Sequence, residues 1–207
     1  MSFRYAEFNI LETSWLPQSW DEQILEVSTL YSKCIHLDGK SSTSREPVDT
    51  QGVNCNVVSG EIVYQKIRWL YDLYRNQFAE LAFRVNEGEI LLSTEINTGV
   101  NINVISGMGA RYEWHIDTNP LTGILFVTSH SDEDGGQLLF KTLSGDHLVT
   151  PKSGMFILFD AREIPHTVLP LKKEIRRISI PMNYYTPEFT LEKVRPADLS
   201  SYCLPSN

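Results

Sequence analysis

Cysteine is scarce in this chain, and no two cysteines lie close together. Three occur among 207 residues, at Cys34, Cys55 and Cys203. A zinc ribbon or a thioredoxin-like centre would need a Cys-x-x-Cys pair, and small secreted scaffolds need several disulfides. Both classes are therefore excluded, and we expect reduced thiols in a cytoplasmic protein.

Long apolar runs and an excess of positive charge are also missing. No stretch approaches the roughly 18 apolar residues of a membrane-spanning helix, and the opening MSFRYAEFNI does not read as a signal peptide. Lys and Arg number 18 against 26 Asp and Glu, a net charge of −8. Because an acidic surface repels phosphate backbones, we expect neither membrane nor nucleic acid as a partner. The composition does not indicate whether the chain forms a homo-oligomer.

The amino-acid composition suits one globular domain, since 42 % of residues are hydrophobic and 21 % are charged. We predict a helical and loop preface over residues 1–88, a β-rich core over 89–185 and a C-terminal tail over 186–207. The polar stretch 39–52 is predicted to be a loop. We interpret it as an ordinary surface loop in preference to a lid.

Two helices are predicted in the preface. Ser19 and Glu22 resemble a capping box at the start of the first. Apolar and aromatic residues recur at helical spacing from about Ile62 to Arg84, which predicts a long second helix whose stripe packs against the core.

From Glu89 onward, short β-rich runs alternate with turn signals. Eight strands are predicted, at Asn101–Ser106, Arg111–Ile116, Gly123–Ser129, Gly136–Thr142, His147–Thr150, Met155–Asp160, His166–Leu171 and Arg176–Tyr184. This pattern is typical of a double-stranded β-helix, or jelly roll, with two facing antiparallel sheets. The predicted fold class is therefore mainly β, with N-terminal helices bracing the jelly roll.

The first indication of a metal site is the segment YEWHID. His115 and Asp117 are two residues apart in a predicted strand, so their side chains leave the same face. A later strand opens with His166 in IPHTVLP. Two histidines and one carboxylate leave three positions open on a six-coordinate metal, which is the ligand set of non-haem iron(II) oxygenases. A structural zinc site would be closed and would usually contain cysteine.

A second feature is the pair Arg177 and Ser179 in RRISIPMNYY. Residues two apart in a strand share a face, so a guanidinium and a hydroxyl lie side by side. A guanidinium binds a carboxylate through two parallel hydrogen bonds. Arg176 is predicted to point to the other face, where it would be a solvated surface charge.

These segments together resemble the prolyl-4-hydroxylase-like branch of the iron(II)/2-oxoglutarate-dependent dioxygenases, over roughly residues 101–185. The segments that carry the likeness are GMGARYEWHID, LTGILFVTSHSDEDGGQLLF, PKSGMFILFDAREIPHTVLP and RRISIPMNYY. The residues that match the family pattern are Gly107, Gly109 and Tyr112 before the HxD pair, Asp134, Gly135 and Gly136 at a turn, and Pro151 and Gly154 at a bend.

The resemblance implies iron(II) bound by the catalytic residues His115, Asp117 and His166. It also implies 2-oxoglutarate as cosubstrate, held at its distal carboxylate by Arg177 with Ser179. O2 is the oxidant, succinate and CO2 are the products of the cosubstrate, and ascorbate is a candidate stimulant.

One departure from the family concerns the cosubstrate pocket. Many animal relatives carry tyrosines where this chain has Ile105 and Phe126. We therefore expect the pocket to depend more on Arg177, Ser179 and Asn103, with Phe126 also counted among the cosubstrate-binding residues.

The implied reaction is hydroxylation of an unactivated C–H bond in a small molecule, an amino acid or a metabolite derived from one. Hydroxylation of a prolyl residue in a peptide is the alternative. Related halogenases have a small residue where this chain has Asp117, so halogenation is disfavoured. Desaturation and cyclisation stay open, because they begin with the same hydrogen abstraction.

Strand alternation makes Arg111, Glu113, Asn101 and Asn183 candidate substrate contacts. Arg111 either binds a substrate carboxylate or is solvated in a turn. Two other classes compete with the oxygenase. One is a jelly-roll binding module without turnover. The other is a zinc hydrolase with Glu113 as general base, which would leave Arg177 and Ser179 without a purpose.

Overall fold

The structure is a computed structural model that describes residues 3–37 and 53–190. The predicted loop at 39–52 and most of the predicted tail lie outside these residues. The described strands, in chain order, are β1 (Tyr5–Asn9), β2 (Lys33–Leu37), β3 (Val53–Val58), β4 (Leu91–Leu92), β5 (Ile102–Ser106), β6 (Tyr112–His115), β7 (Leu121–Phe126), β8 (Leu138–Thr142), β9 (Gly145–Val149), β10 (Met155–Asp160), β11 (His166–Val168) and β12 (Arg176–Tyr185). The helices are α1 (Trp20–Tyr31), α2 (Gly60–Lys66), α3 (Arg68–Arg75), α4 (Gln77–Asn86) and α5 (Ile96–Gly99), with a 3₁₀ turn at Ile10–Glu12.

Two antiparallel sheets face each other, as the jelly-roll prediction required. The major sheet has the order β1-β10-β7-β12-β5-β3-β2, with β4 added beside β12, and the minor sheet has the order β6-β11-β8-β9. The fold class expected from the sequence is confirmed, and each of the eight predicted strands is present within a few residues of its expected bounds.

The preface differs from its prediction because it contains strands as well as helices. β1 pairs with β10, while β2 and β3 extend the other edge of the major sheet beyond β5. The long helix predicted near 62–84 is three helices, with breaks at Ile67 (φ −133°) and Asn76 (φ −113°, ψ −87°). The helix after Ser19 is present, but Ser19 is left-handed and its side chain makes no capping hydrogen bond, so the capping box is wrong.

Strand alternation divides the core into two layers. On β10, Phe156 and Leu158 pack toward the helices, and Ile157 and Phe159 pack between the sheets. Aromatic residues on α3 and α4, such as Tyr74, are buried in the helical layer, as the stripe predicted. No helix in the described ranges is long and apolar enough to cross a bilayer.

Strand β12 departs from this pattern in a way that creates the site. Its helix-facing residues Ile178, Ile180 and Met182 are apolar and fully buried. Its opposite face carries Arg177, Ser179, Pro181 and Asn183, which line a cavity between the sheets. Polar side chains therefore occupy part of an interior that β10 fills with hydrocarbon.

Candidate metal centre and cosubstrate pocket

The three residues predicted as metal ligands meet at one end of the minor sheet. His115 ends β6 and His166 begins β11, and the two residues are direct partners in the antiparallel ladder. Asp117 follows β6 and is fixed by a hydrogen bond from its backbone N–H to Ala161 O, 2.9 Å. Its Oδ1 lies 3.6 Å from Nε2 of His115 and 3.8 Å from Nε2 of His166. One ligand atom from each residue lies within 4.8 Å of the others, close enough to share an ion.

Backbone carbonyls orient both imidazoles. Nδ1 of His115 lies 2.7 Å from the carbonyl oxygen of Glu113, and Nδ1 of His166 lies 2.9 Å from that of Ile164. A neutral ring that donates from Nδ1 leaves the lone pair of Nε2 for a metal. Burial, and then the neighbouring His166, lowers the pKa of His115 to about 4, so that ring is neutral at physiological pH.

The carboxylate of Asp117 is also held in place. Thr122 donates its hydroxyl proton to Oδ2 of Asp117 at 2.6 Å. Asn119 donates through Nδ2 to the Thr122 hydroxyl and to Leu121 O, both at 2.8 Å. This relay occupies Oδ2 and leaves Oδ1 facing the imidazoles. Thr122 and Asn119 were not predicted as site residues, since no motif or spacing in the sequence singles them out.

A β-bulge decides which side chains of β6 face the site. His166 pairs with His115 and Val168 pairs with Tyr112, so three residue steps on β6 oppose two on β11. The extra residue breaks strict alternation. Tyr112 therefore shares the cavity face with His115, and their ring centroids lie 4.6 Å apart. Strict alternation along β6 would have placed Tyr112 on the opposite face from His115.

Glu113, which simple alternation placed beside His115, is turned away by the same bulge. Its carboxylate accepts from Nε of Arg111 at 2.5 Å, and this pair is partly exposed. Neither residue is among those that line the cavity.

Arg177 lies at the other end of the cavity and is only 2 % exposed. Its Nε donates to Gly136 O at 2.8 Å, and its Nη1 donates to the Ser179 hydroxyl at 2.9 Å. The guanidinium lies over the ring of Phe126, 5.4 Å from its centroid. Phe126 therefore packs against the Arg177 guanidinium and does not itself line the cavity.

The turn at Asp134–Gly136 supplies the carbonyl that fixes Arg177. Gly135 and Gly136 have φ of 74° and 76°, in the left-handed region that favours glycine. A Cβ at Gly135 would lie 2.1 Å from Pro170 O, so the turn also needs glycine for space. His130, near this turn, has a lowered pKa, caused first by burial and then by the charge of Arg177.

The cavity joins the two ends, and its volume is about 690 Å³ when measured out to its solvent-open mouth. Of the residues predicted to bind cosubstrate or substrate, Arg177, Ser179, Asn103, Asn101 and Asn183 line it. The remaining lining residues are Ile105, Tyr112, His115, Asp117, Thr122, Ile124, Leu138, His166, Val168 and Pro181.

This donor set fits iron(II) and a dicarboxylate. Two imidazoles and one carboxylate suit a divalent ion with open positions. A guanidinium buried in the same cavity, with a hydroxyl beside it, suits the far carboxylate of a cosubstrate bound to that ion. Ile124, Leu138 and Val168 form apolar walls between these polar ends.

Comparison with known proteins agrees with this geometry. Residues 100–185 match the family model of the 2OG-Fe(II) oxygenase superfamily. A PKHD-type hydroxylase of Synechococcus sp. (strain CC9902) is 31 % identical over 83 residues, which cover 36 % of this chain and 36 % of that protein. The match thus spans about a third of that relative's length.

Solved structures share the fold over nearly the whole chain. A prolyl hydroxylase from Trichoplax adhaerens, in complex with a hypoxia inducible factor peptide fragment, has a TM-score of 0.67 at 18 % identity, covering 94 % of this chain and 88 % of its own. The epimerase SnoN from nogalamycin biosynthesis, in complex with Fe3+ and alpha ketoglutarate, has a TM-score of 0.66 at 11 % identity, covering 99 % and 87 %. At these identities the likeness shows the fold alone. Residues 100–185 are therefore similar to the 2OG-Fe(II) oxygenase superfamily, and the His115, Asp117 and His166 cluster lies within that matched segment.

Proposed function

We propose that this chain is an iron(II)- and 2-oxoglutarate-dependent dioxygenase that hydroxylates an unactivated C–H bond of a small molecule, an amino acid or a metabolite derived from one. The observation that carries the proposal is one cavity lined by the three metal ligands at one end and by buried Arg177 and Ser179 at the other. When bound, iron(II) and 2-oxoglutarate supply the oxidising chemistry: O2 is consumed, 2-oxoglutarate becomes succinate and CO2, and one oxygen atom enters the substrate C–H bond.

The chain's own residues hold and orient these components. His115, Asp117 and His166 bind the metal on one side and leave the cavity side open. Arg177 binds the distal carboxylate of 2-oxoglutarate, with Ser179 as an additional hydroxyl. Because Arg177 is held by Gly136 O and Phe126, its guanidinium is already oriented before the cosubstrate arrives.

The placement of Glu113 argues against the zinc hydrolase. A hydrolase would need a general base near the metal-bound water, but Glu113 is paired with Arg111 outside the cavity lining. A peptidyl prolyl hydroxylase stays the second candidate, because the curated relative is a PKHD-type hydroxylase. Succinate formation with peptides and with free metabolites separates the two substrate classes.

The test begins with anaerobic titration of iron(II) and 2-oxoglutarate into the purified chain. A weak visible charge-transfer band should develop, and Asp117→Ala should abolish it. Arg177→Gln should raise the 2-oxoglutarate concentration required, while the neighbouring Arg176→Gln serves as the matched control, since Arg176 is exposed on the opposite face. A parent protein that binds iron but gives no band with 2-oxoglutarate would contradict the proposal.

Turnover separates an oxygenase from a binding module with the same fold. With O2, iron(II) and ascorbate, succinate should form faster when a true substrate from a metabolite panel is added. A complex that binds both iron and 2-oxoglutarate yet releases no succinate with any compound would favour the binding module.

A cytoplasmic location is part of the same proposal. The free thiol of Cys34 is exposed, as expected for a chain kept in a reducing compartment. Cell fractionation shows which compartment contains the protein, and a thiol-labelling reagent shows whether Cys34 is reduced there.

A further inference from the structure

The cavity has two chemically different ends along strand β12. Its inward residues run from Arg177 through Ser179 and Pro181 to Asn183. The six residue steps from Arg177 to Asn183 span about 20 Å at the usual rise per residue. The positive end and the amide end are therefore too far apart to bind the same carboxylate.

The metal ligands lie toward the amide end of the cavity, which is close to Asp117. Thr122, which holds the Asp117 carboxylate, is the direct ladder partner of Asn183. If 2-oxoglutarate reaches from the metal ligands to Arg177, it does not occupy the space near Asn183. That space is left for the substrate.

Two asparagines form this end. Asn183 donates through Nδ2 to Thr98 O at 2.8 Å, which fixes the direction of its amide. Asn101 hydrogen bonds through its backbone N–H to Pro181 O and is only 4 % exposed. Its side-chain Oδ1 is buried and has no hydrogen-bond donor within the described parts of the chain. A buried acceptor of this kind is costly unless a bound molecule supplies the donor.

The amide end is also uncharged. Apart from the two histidines, the charged side chains among the described lining residues are Asp117 and Arg177, and both already have a role in holding iron and 2-oxoglutarate. A free ammonium or carboxylate buried at this end would lose its hydration without a counter-charge. A neutral amide N–H would satisfy Asn101 without that cost.

We propose that the substrate presents a neutral amide N–H to Asn101 at this end of the cavity. The substrate is accordingly an amino acid in amide-linked form and not a free zwitterion. This inference rests on the proposed oxygenase function, and it narrows the substrate class of the same site.

The experiment uses the full chain loaded anaerobically with iron(II) and 2-oxoglutarate, and follows the shift of the visible band as compounds are added. Each common amino acid is tested free, as its N-acetyl N′-methylamide, and as the N-methylated analogue that lacks the donor. Short peptides form a separate arm, because they present the same amide group. The amides should bind at least tenfold more tightly than the other two forms. The N-methylated analogue cannot form the buried hydrogen bond, and the free amino acid would have to bury its charged groups without a counter-charge.

Variants at Asn101 locate the contact. Asn101→Leu should weaken binding of the best amide about tenfold. Asn101→Asp keeps the volume and adds a negative charge, so it should shift preference toward amides that carry a free ammonium group.

Free zwitterions that bind as tightly as the amides, an unchanged affinity in Asn101→Leu, or no band shift with any amide would each overturn the inference. Absence of the band in the parent protein would instead contradict the proposed function, so the two failures are distinguishable.

Discussion

Thr122→Val tests whether a buried hydroxyl, outside the ligand set, sets the affinity of the metal site. Valine has nearly the shape of threonine but cannot donate to Oδ2 of Asp117, which accepts from Thr122 at 2.6 Å. The substitution also removes one acceptor from Asn119, which keeps its contact with Leu121 O. The Asp117 carboxylate would then be free to rotate away from the imidazoles.

The magnitude follows from the chemistry of this contact. A hydrogen bond to an ionised carboxylate contributes about 1.5–3 kcal/mol. Since 1.4 kcal/mol is tenfold in an equilibrium constant, the dissociation constant for iron(II) should rise by about 10- to 100-fold. That range matches what outer-shell partners of metal ligands usually contribute.

The assay is anaerobic competition for iron(II) between the protein and a chelator of known affinity. Thr122→Ser retains the hydroxyl and should bind within about threefold of the parent, which follows from keeping the charge-assisted contact. Urea unfolding of each variant checks that the fold is intact. A folded Thr122→Val protein with parental iron affinity would refute the reasoning.

Three further predictions test other parts of the structure. Arg177→Gln should weaken 2-oxoglutarate binding to the metal-loaded chain at least tenfold by anaerobic calorimetry, because a charge-assisted contact is lost; an equal loss in Arg176→Gln would contradict the assignment. In the metal-free protein the pKa of His115 is lowered from 6.5 to about 4, so the unfolded chain takes up this proton first as pH falls. Its contribution of about 3 kcal/mol should be present above pH 6.5 and lost between pH 6.5 and 4, and urea unfolding free energies that lack this decline, or that decline equally in His115→Asn, would count against it. Gly135→Ala should destabilise the chain by about 2 kcal/mol or more, because φ is 74° and the new Cβ would meet Pro170 O; a melting temperature equal to that of the parent would rule this out.

Much of the fold was predictable because its signals are local. The strands between residues 101 and 185 are short apolar runs bounded by turn residues, and glycine turns such as Gly135 mark their ends. The strand at Tyr5–Asn9 carries no comparable signal. It exists because it pairs with β10, about 150 positions later in the chain, and such a pairing depends on the assembled sheet.

Helix breaks and strand bulges show the same limit. Apolar spacing predicts that residues 62–84 are helical, but it does not show that the backbone departs from helical geometry at Ile67 and Asn76. At the site, residue type and face identified His115 and Asp117. Tyr112 could not be placed from alternation, because the bulge in β6 depends on how that strand pairs with β11.

The pairing of β1 with β10 has a consequence for how this protein can be shortened. Every residue of β10 is buried, and β1 covers its outer backbone from Met155 to Phe159. Removing residues 3–9 would expose a row of unpaired N–H and C=O groups beside a hydrophobic strand, an arrangement that recruits strands from other molecules. Trimming the chain to its family-matched segment should therefore yield a self-associating protein, even though every metal ligand would still be present.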